Sequence, residues 1–349
     1  MKDHHLASLR IYNQQIHNPQ FKTPEDVVKY MVAMQAQDYA GAKWAIGLRM
    51  KIANENFIEQ AIGDGKILRT HLLRPTWHFV LPQDIRWILN LTAPRIKAAN
   101  AGMYKKFGVD DAIFNKSNNT LAKALEGDKQ LTRPELVDVL QKAGIATDEL
   151  RFTMLLMQAE LDQVICSGKR VGKQFTYALL DDRAPAYSPL KHEEALTKLA
   201  AGYFNSRGPA TVHDFAAWSG LTVTDATTGL ENIKAGLINE VIEGKTYWMP
   251  DHEDLIIPKN PKAHLLPMYD EFAIAYKHRD ALVKPPYLEQ ARHVIFEQPI
   301  IVDDQVVGTW RRTLKKTTAD ITLNLFGKLN KTQTKAVETA ITRYQKFLF

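Results

Sequence analysis

The chain of 349 residues, 45% hydrophobic and 24% charged, is too long for one typical domain and can bury cores in about two to four modules. It has neither a run of about 20 apolar residues nor the apolar core of a signal peptide, so no membrane span or secretion is expected. Its one cysteine, Cys166, excludes an internal disulfide and Cys-rich zinc sites, and it fits a reducing cytoplasm.

Positive charge is concentrated at the end of the chain. The formal net charge is +6 and the sequence pI is about 9.1. Residues 311–349 contain nine lysine and arginine residues against two acidic residues, a surplus of seven charges that accounts for the whole excess. A basic face predicts a polyanionic partner such as nucleic acid, and the alternative is an ordinary solvated helix with lysines.

The first predicted helix lies in "FKTPEDVVKYMVAM", where Thr23 is the N-cap, Pro24 the first helical residue and Asp26 the acid three residues after the cap. It leads into "MQAQDYAGAKW", which carries two glutamines separated by one alanine. Two further short helices are predicted next. The run "ILRTHLLRPTWHFVL" then predicts two strands that are broken near Arg74-Pro75.

A second Thr-x-x-acid helix start follows in "QLTRPELVDVLQKAGI", where Thr132 and Glu135 form the standard capping box. After Gly144 comes the long apolar helix predicted in "DELRFTMLLMQAELDQVICSG". The run "KRVGKQFTYALL" has the composition of a basic wing. This segment therefore repeats the earlier order of capped helix, further helix and strand pair.

A third start lies in "PATVHDFAAWSGL", where Thr211 precedes Asp214. A second helix is predicted in "TVTDATTGLENIKAG", and two β-prone runs flank a turn at Glu243-Gly244. Helix, turn, helix and hairpin is the order of a winged helix-turn-helix. Three such starts with the same downstream order predict tandem copies of one unit, although a single capping box is commonplace.

The end of the chain has a different pattern. "HVIFEQPIIVDDQVVGTWRRTLKK" and "ADITLNLFGK" alternate apolar and polar residues around a turn at Asp303-Asp304, which predicts antiparallel strands. A closing helix is predicted in "NKTQTKAVETAITRYQKFLF". The segment is therefore expected to form a small β-rich domain with a basic face.

Five runs resemble a known family, in the same order along nearly the whole chain: "LRTHLLRPTWHFVLPQDIRWIL", "AELDQVICSGKRVGKQFTYALLDDRAP", "GPATVHDFAAWSGL", "LLPMYDEFAIAYKHRD" and "VVGTWRR". The family is the bacterial winged-helix DNA-binding family that contains the AlkZ-type alkylpurine DNA glycosylases. The resemblance implies an α+β fold of three tandem winged helix-turn-helix domains and a C-terminal β-barrel-like domain around a C-shaped DNA cleft. The corresponding ranges are 1–110, 111–186, 187–258 and 259–349.

In the glycosylase members of that family a Gln-apolar-Gln motif is the catalytic signature, and Gln35-Ala36-Gln37 matches it. Some relatives carry Asp in place of the second Gln. Side chains at i and i+2 share one side only in extended backbone, so the helix must end near Met34 for the pair to share a target. Without the resemblance, a polar helix end is the simpler interpretation of the two glutamines.

Two amides could position a water molecule against the sugar C1′ atom. This suits a purine alkylated at N3 or N7, because its positive charge makes it a good leaving group without a strong acid. Asp38 could supply negative charge or accept a proton, and its alternative role is a solvated helix end. Asp38 and Gly41 are the expected breakers of the preceding helix.

The leading hypothesis is a monomeric, monofunctional DNA glycosylase that acts on alkylated purines in double-stranded DNA, including bulky or crosslinked adducts. No cofactor or metal is expected. No lysine is placed for a Schiff base, so strand cleavage is not expected, and the pattern does not require base flipping. The alternative is a non-catalytic winged-helix regulator or DNA-structure binder.

Phosphate contacts are expected from three basic groups, with positioning of Gln37 as the alternative for the first hairpin and a solvated turn as the alternative for the second wing. The first hairpin, the second wing and the C-terminal strands supply Arg69, Arg74, His78, Lys169, Arg170, Lys173, Arg311, Arg312, Lys315 and Lys316.

Overall fold

The structure is a computed structural model that describes residues 3–251 and 262–349. The chain divides into two compact units. The first comprises Met1–Glu59, Leu196–Trp218 and Thr222–Phe349, and the second comprises Gln60–Ala195 and Ser219–Leu221. The predicted boundary between residues 258 and 259 lies outside the described residues, and the division into four domains stays a prediction.

Helices and strands alternate along the chain. The α-helices are α1 (Asp3–Asn13), α2 (Pro24–Met31), α3 (Tyr39–Leu48), α4 (Glu55–Gly63), α5 (Pro82–Lys106), α6 (Asp111–Leu125), α7 (Arg133–Lys142), α8 (Glu149–Leu161), α9 (Leu180–Arg183), α10 (His192–Arg207), α11 (Val212–Ser219), α12 (Val223–Glu231), α13 (Glu271–Ile274) and α14 (Lys331–Leu348). The strands are β1 (Ala33–Gln35), β2 (Leu68–Leu72), β3 (Thr76–Val80), β4 (Leu131–Thr132), β5 (Ile165–Ser167), β6 (Thr176–Leu179), β7 (Ile238–Ile242), β8 (Lys245–Met249), β9 (Ala263–Leu265), β10 (Pro299–Val302), β11 (Gln305–Leu314) and β12 (Ala319–Leu325).

The C-terminal part of the first unit is built on an open antiparallel sheet in the order β12-β11-β10-β9. Within residues 262–349, β12 and β9 are its edges, so the expected barrel-like closure is wrong. The physical reason is that α14 packs on β9 and β10 and covers one face of the sheet. In a closed barrel, the opposite strands of the same sheet would cover that face. Asp303 and Asp304 make the predicted turn between β10 and β11 with φ of 52° and 67°.

Aromatic rings fill the space between this sheet and α3. Tyr344 on α14 lies between Trp44 and Trp310, with ring centroids 5.0 and 4.8 Å away. The indole of Trp44 donates to the Leu265 carbonyl oxygen at 2.6 Å, and that of Trp310 donates to the Leu266 carbonyl oxygen at 2.8 Å. These hydrogen bonds satisfy the buried indoles and tie α3 to the sheet.

The second unit contains two small antiparallel arrangements. Strands β2 and β3 form a hairpin in which Thr70 pairs with His78, and the predicted break at Arg74-Pro75 is confirmed. Strands β4, β5 and β6 form a sheet in the order β4-β6-β5. Helices α7 and α8 lie between β4 and β5 in the chain. The order from α6 to β6 is helix, strand, helix, helix and hairpin.

The three threonine-initiated helices form as predicted. The Thr23 Oγ atom accepts from the Asp26 N–H at 3.2 Å, and the Thr132 N–H donates to the Glu135 carboxylate at 2.7 Å. Thr211 and Asp214 exchange both reciprocal bonds, at 2.9 and 3.1 Å. Their places in the chain are not equivalent, however. Helix α2 precedes the short strand β1, whereas α7 follows β4 and α11 follows the bridge that Ala210 makes with Trp248.

Candidate active site and nucleic-acid interface

The glutamine pair lies between two helices of the first unit, with Gln35 at the end of a short extended segment and Gln37 in the bend that follows. Helix α2 ends at Met31, three residues before the predicted position, and Val32 then adopts φ 61° and ψ −53°. Residues 33–35 are extended, and α3 begins directly after Asp38. The expectation that Gly41 breaks the helix is wrong, because Gly41 lies in the first turn of α3 and the break is made at Val32.

The two glutamine side chains lie on the outward side of this segment. The Gln35 Oε1 atom accepts a hydrogen bond from the Gln37 backbone N–H at 3.2 Å. Ala36 between them is fully buried, whereas Gln35 is half-buried and Gln37 is exposed. Strand β1 ends at Gln35 and the chain bends at Gln37, which leaves one lone pair of the Gln35 oxygen and the whole Gln37 amide available to a ligand.

Asp38 occupies the N-cap position of α3, but its side chain makes no capping hydrogen bond. A Cβ atom added at Gly41 would lie 2.4 Å from the Asp38 Oδ2 atom and 3.0 Å from the Pro267 Cβ atom. The half-buried carboxylate therefore folds back over the first turn of α3, in space that only a glycine at position 41 leaves open. Asp38 directly follows the glutamine pair in the chain.

Glu271 contacts this segment and was not singled out from the sequence. The backbone N–H of Gln35 donates to the Glu271 Oε1 atom at 2.9 Å, and Glu271 is 1% exposed. Glu271 belongs to the run "YDEFAIAY", whose acidic pair directly before an apolar run was the only available signal. A separation of 236 residues hides the contact from sequence patterns.

The basic residues of the first hairpin are largely covered. Arg69 is 6% exposed, and its guanidinium lies 4.1 Å from the ring centroid of Trp77 and 4.7 Å from that of Phe175. His78 is fully buried, and its Nδ1 atom lies 2.8 Å from the Thr76 carbonyl oxygen. Arg74 is half-buried. DNA contact by these residues stays a prediction, and the burial of Arg69 and His78 does not support it.

The second wing is more accessible. Lys169 and Lys173 are exposed on the chain between β5 and β6, and Arg170 is half-buried with its guanidinium 5.2 Å from the Phe175 ring centroid. The Lys169 backbone is fixed on both sides, because its N–H donates to the Gln130 amide oxygen and its carbonyl accepts from the Thr176 hydroxyl, each at 2.6 Å. This wing therefore presents two ammonium groups to solvent from an anchored backbone.

The C-terminal cluster lies in the same unit as the glutamine pair. Arg311 and Lys316 are exposed, whereas Lys315 pairs with Asp320 at 2.6 Å across the β11–β12 hairpin. The Arg312 guanidinium donates to the Tyr344 hydroxyl and is half-buried. Arg311 and Lys316 are thus the members of this group best placed for phosphate contact.

Other chemistry finds little support in the described residues. Burial raises the pKa of the Cys166 thiol to about 12, which keeps the sulfur protonated and unreactive. Within residues 3–251 and 262–349, no group of three or more His, Cys, Asp or Glu side chains could hold a metal ion. Over the same ranges, no helix is long and apolar enough to cross a membrane.

Comparisons with known proteins agree with one another. The sequence model of a family described as "DNA glycosylase AlkZ-like" matches residues 28–347. A protein named "Interstrand DNA cross-link repair glycosylase", from Streptomyces sahachiroi, is 26% identical over 302 residues, which are 82% of this chain and 81% of that protein. The solved structure of the Streptomyces sahachiroi DNA glycosylase AlkZ shares the fold with a TM-score of 0.81 at 19% identity, over 99% of this chain and 96% of that one.

Proposed function

The chain belongs to the AlkZ-like DNA glycosylase family, and from this premise we propose that it hydrolyses the N-glycosidic bond of purines alkylated at N3 or N7 in double-stranded DNA. The printed name of the 26% identical relative refers to interstrand crosslinks. We include bulky and crosslinked adducts in the proposal, because the amide of Gln37 lies in the open and not in an enclosed pocket.

The geometry of the glutamine pair carries this proposal. The Gln35 oxygen is oriented by the Gln37 backbone N–H, so its amide has a fixed direction before any substrate binds. The remaining lone pair of that oxygen and the Gln37 amide oxygen can each accept one hydrogen atom of a water molecule. The oxygen of that water then keeps a lone pair for attack on the C1′ atom, and holding it in line is a contribution of position and orientation.

The leaving group supplies the rest of the driving force. Alkylation at N3 or N7 gives the purine a positive charge, so breaking the bond from C1′ to the base nitrogen releases a neutral alkylated base. The new bond from C1′ to the water oxygen forms as a proton is lost, and Asp38 is the nearest acid residue in the chain to accept it. Neutral amides are then sufficient, since no proton has to be given to the base.

We propose a monofunctional reaction that leaves the DNA strand intact. A Schiff base requires an accessible amine beside the sugar. Lys43 on α3 is the lysine closest in sequence to Asp38 on its C-terminal side, and its nitrogen is held by Glu55 at 2.8 Å and Glu59 at 2.6 Å. These ion pairs engage the amine with carboxylates on α4, so it is not presented as a nucleophile.

DNA binding is assigned to the exposed basic residues of the second wing and of the C-terminal hairpin. We propose three winged helices, with the order strand, helix, helix and hairpin in β1 to β3, β4 to β6, and Ala210 to β8. Action as a monomer belongs to the same proposal. Each exposed lysine or arginine that neutralises a phosphate adds to affinity and to its salt dependence.

The test is base release from duplexes that carry N7-methylguanine, N3-methyladenine or an N7-linked interstrand crosslink. Wild type is expected to release the alkylated base, and Gln35→Ala and Gln37→Ala are expected to bind the duplex but release none. Gln60→Ala is the matched control, because Gln60 is an exposed glutamine of α4. Base release that is unchanged in both active-site variants would contradict the proposed roles of the amides.

A further inference from the structure

The turn that delivers the chain from α2 into the glutamine segment is strained. Val32 has φ 61°, a region that L residues rarely adopt and that is least favourable for a β-branched side chain. Its side chain packs on Gly202 of α10, where an added Cβ atom would lie 2.1 Å from the Val32 Cγ2 atom. Such a backbone persists only where surrounding contacts hold it in place.

One arginine holds both sides of this turn. Arg207, at the end of α10, is fully buried. Its Nη1 atom donates to the Met31 carbonyl oxygen at 2.9 Å, and its Nη2 atom donates to the Ala33 carbonyl oxygen at 2.8 Å. The two carbonyls flank Val32, so the planar guanidinium fixes the direction in which the chain leaves the helix.

Glu271 connects this arginine to the glutamine pair. Its Oε2 atom accepts from Arg207 Nε at 2.9 Å, from Arg207 Nη2 at 2.8 Å and from the Trp218 indole at 2.9 Å. Its Oε1 atom accepts from the Gln35 N–H at 2.9 Å. One buried ion pair therefore binds the backbone at residues 31, 33 and 35.

A neighbouring ion pair provides an internal comparison. Arg49 and Asp270 are also fully buried, with nitrogen to oxygen distances of 2.9 and 3.0 Å. The guanidinium of Arg49 donates further to the Ala45 carbonyl oxygen on α3 and to the side chain of Gln14. This pair has the same chemistry and burial as the first, and the bonds named here do not reach residues 31–37, although Asp270 also caps α13, whose first residue is Glu271, by accepting from the Phe272 N–H at 2.9 Å.

We propose that Arg207 and Glu271 are positioning residues that hold residues 31–37 in the conformation that aims Gln35 and Gln37 at one water molecule. A buried ion pair often stabilises a fold no more than apolar side chains of similar volume would. Apolar side chains could not bind two carbonyls and one N–H of the same segment. The inference rests on the proposed function, since it concerns the orientation of the glutamines.

The experiment compares Arg207→Lys and Glu271→Gln with Arg49→Lys and Asp270→Asn. Each variant is assayed for single-turnover base release at saturating enzyme on an N7-methylguanine duplex, at a temperature where all are folded. Arg207→Lys and Glu271→Gln are expected to lower the maximal rate by about tenfold to a hundredfold, as a misplaced reacting group does, with DNA affinity unchanged. The two control variants are expected to lose similar thermal stability and to keep the rate.

Hydrogen–deuterium exchange gives a readout that does not depend on activity. The peptide covering residues 31–38 is expected to exchange faster in Glu271→Gln than in Asp270→Asn. If Arg207→Lys and Glu271→Gln fail to fold, Trp218→Phe is measured in their place, because it removes one hydrogen bond to Glu271 and keeps an aromatic ring. It is expected to show smaller changes in the same direction.

Two results would overturn the inference. One is a wild-type rate and exchange pattern in Arg207→Lys and Glu271→Gln, and the other is an equal loss of rate in the Arg49 and Asp270 variants. If Gln35→Ala and Gln37→Ala still release base, the proposed function fails instead. If these two are inactive while Arg207→Lys and Glu271→Gln are fully active, only the positioning role fails.

Discussion

Replacing Gly41 by alanine is expected to disable the proposed proton acceptor without harming the fold. The added Cβ atom would lie 2.4 Å from the Asp38 Oδ2 atom, a distance that real Cβ atoms essentially never show. The carboxylate is the mobile end of a side chain, so it can rotate away. Alanine also favours a helix over glycine by about 1 kcal/mol, so α3 itself gains from the change. The contact with Pro267 at 3.0 Å offsets part of that gain.

The size of the effect on catalysis follows from the displacement. An ordinary carbon to oxygen contact of about 3.4 Å requires the carboxylate to move by roughly 1 Å, and a misplacement of that size costs about a hundredfold in rate. We therefore expect Gly41→Ala to lower the single-turnover rate of base release by about this factor. Its melting temperature and its affinity for duplex DNA are expected to stay close to wild type.

A double-mutant cycle separates this mechanism from a general perturbation. Base release from N7-methylguanine duplex is measured for wild type, Gly41→Ala, Asp38→Ala and the double variant. Because alanine at position 38 leaves nothing to displace, Gly41→Ala is expected to add no further loss in that background. The reasoning is refuted if Gly41→Ala retains the wild-type rate, or if it slows Asp38→Ala by the same factor as it slows wild type.

Three other predictions concern binding, stability and reactivity. Lys316→Ala is expected to reduce the slope of log affinity against log salt by about one, whereas Lys315→Ala should change it less, because Lys315 is already paired with Asp320; equal slopes would contradict this. Burial, and then neighbouring positive charge, lower the pKa of His264 well below 6.5, so the unfolded chain takes up a proton that the folded state does not. The free energy of unfolding should therefore fall by up to ~1.4 kcal/mol per pH unit below about pH 6.5, and chemical denaturation should show a weaker slope for His264→Asn. Cys166 is expected to react with a thiol reagent such as DTNB only after unfolding, and rapid modification of the native protein would contradict its burial.

Local chemistry explains the features that sequence patterns predicted well. The turn at Glu243-Gly244 forms with φ of 48° and 72°, and the flanking runs pair as β7 and β8. Each predicted threonine cap also forms with the acidic residue three positions later in the chain, because the first turn of a helix brings these two residues together. Such interactions join residues close in the chain, so the residue types alone identify them.

Tertiary contacts explain the features that the sequence could not predict. Gly41 has the sequence signal of a helix breaker, yet it is helical and its small size serves the packing of Asp38. Strand β2 is buried along its whole length, so the position of Arg69 on the predicted hairpin did not make it accessible. The contact of Gln35 with Glu271 depends on the folding of segments far apart in the chain.

The arrangement of the glutamine segment also bears on how this enzyme can change during evolution. The backbone of the segment is fixed from within the unit, whereas the amide of Gln37 lies exposed on its surface. A substitution at position 37 therefore alters the amide that is proposed to hold the water molecule while the scaffold stays as it is. Under the proposed mechanism, single codon changes at position 37 therefore change activity with little selection against misfolding to oppose them.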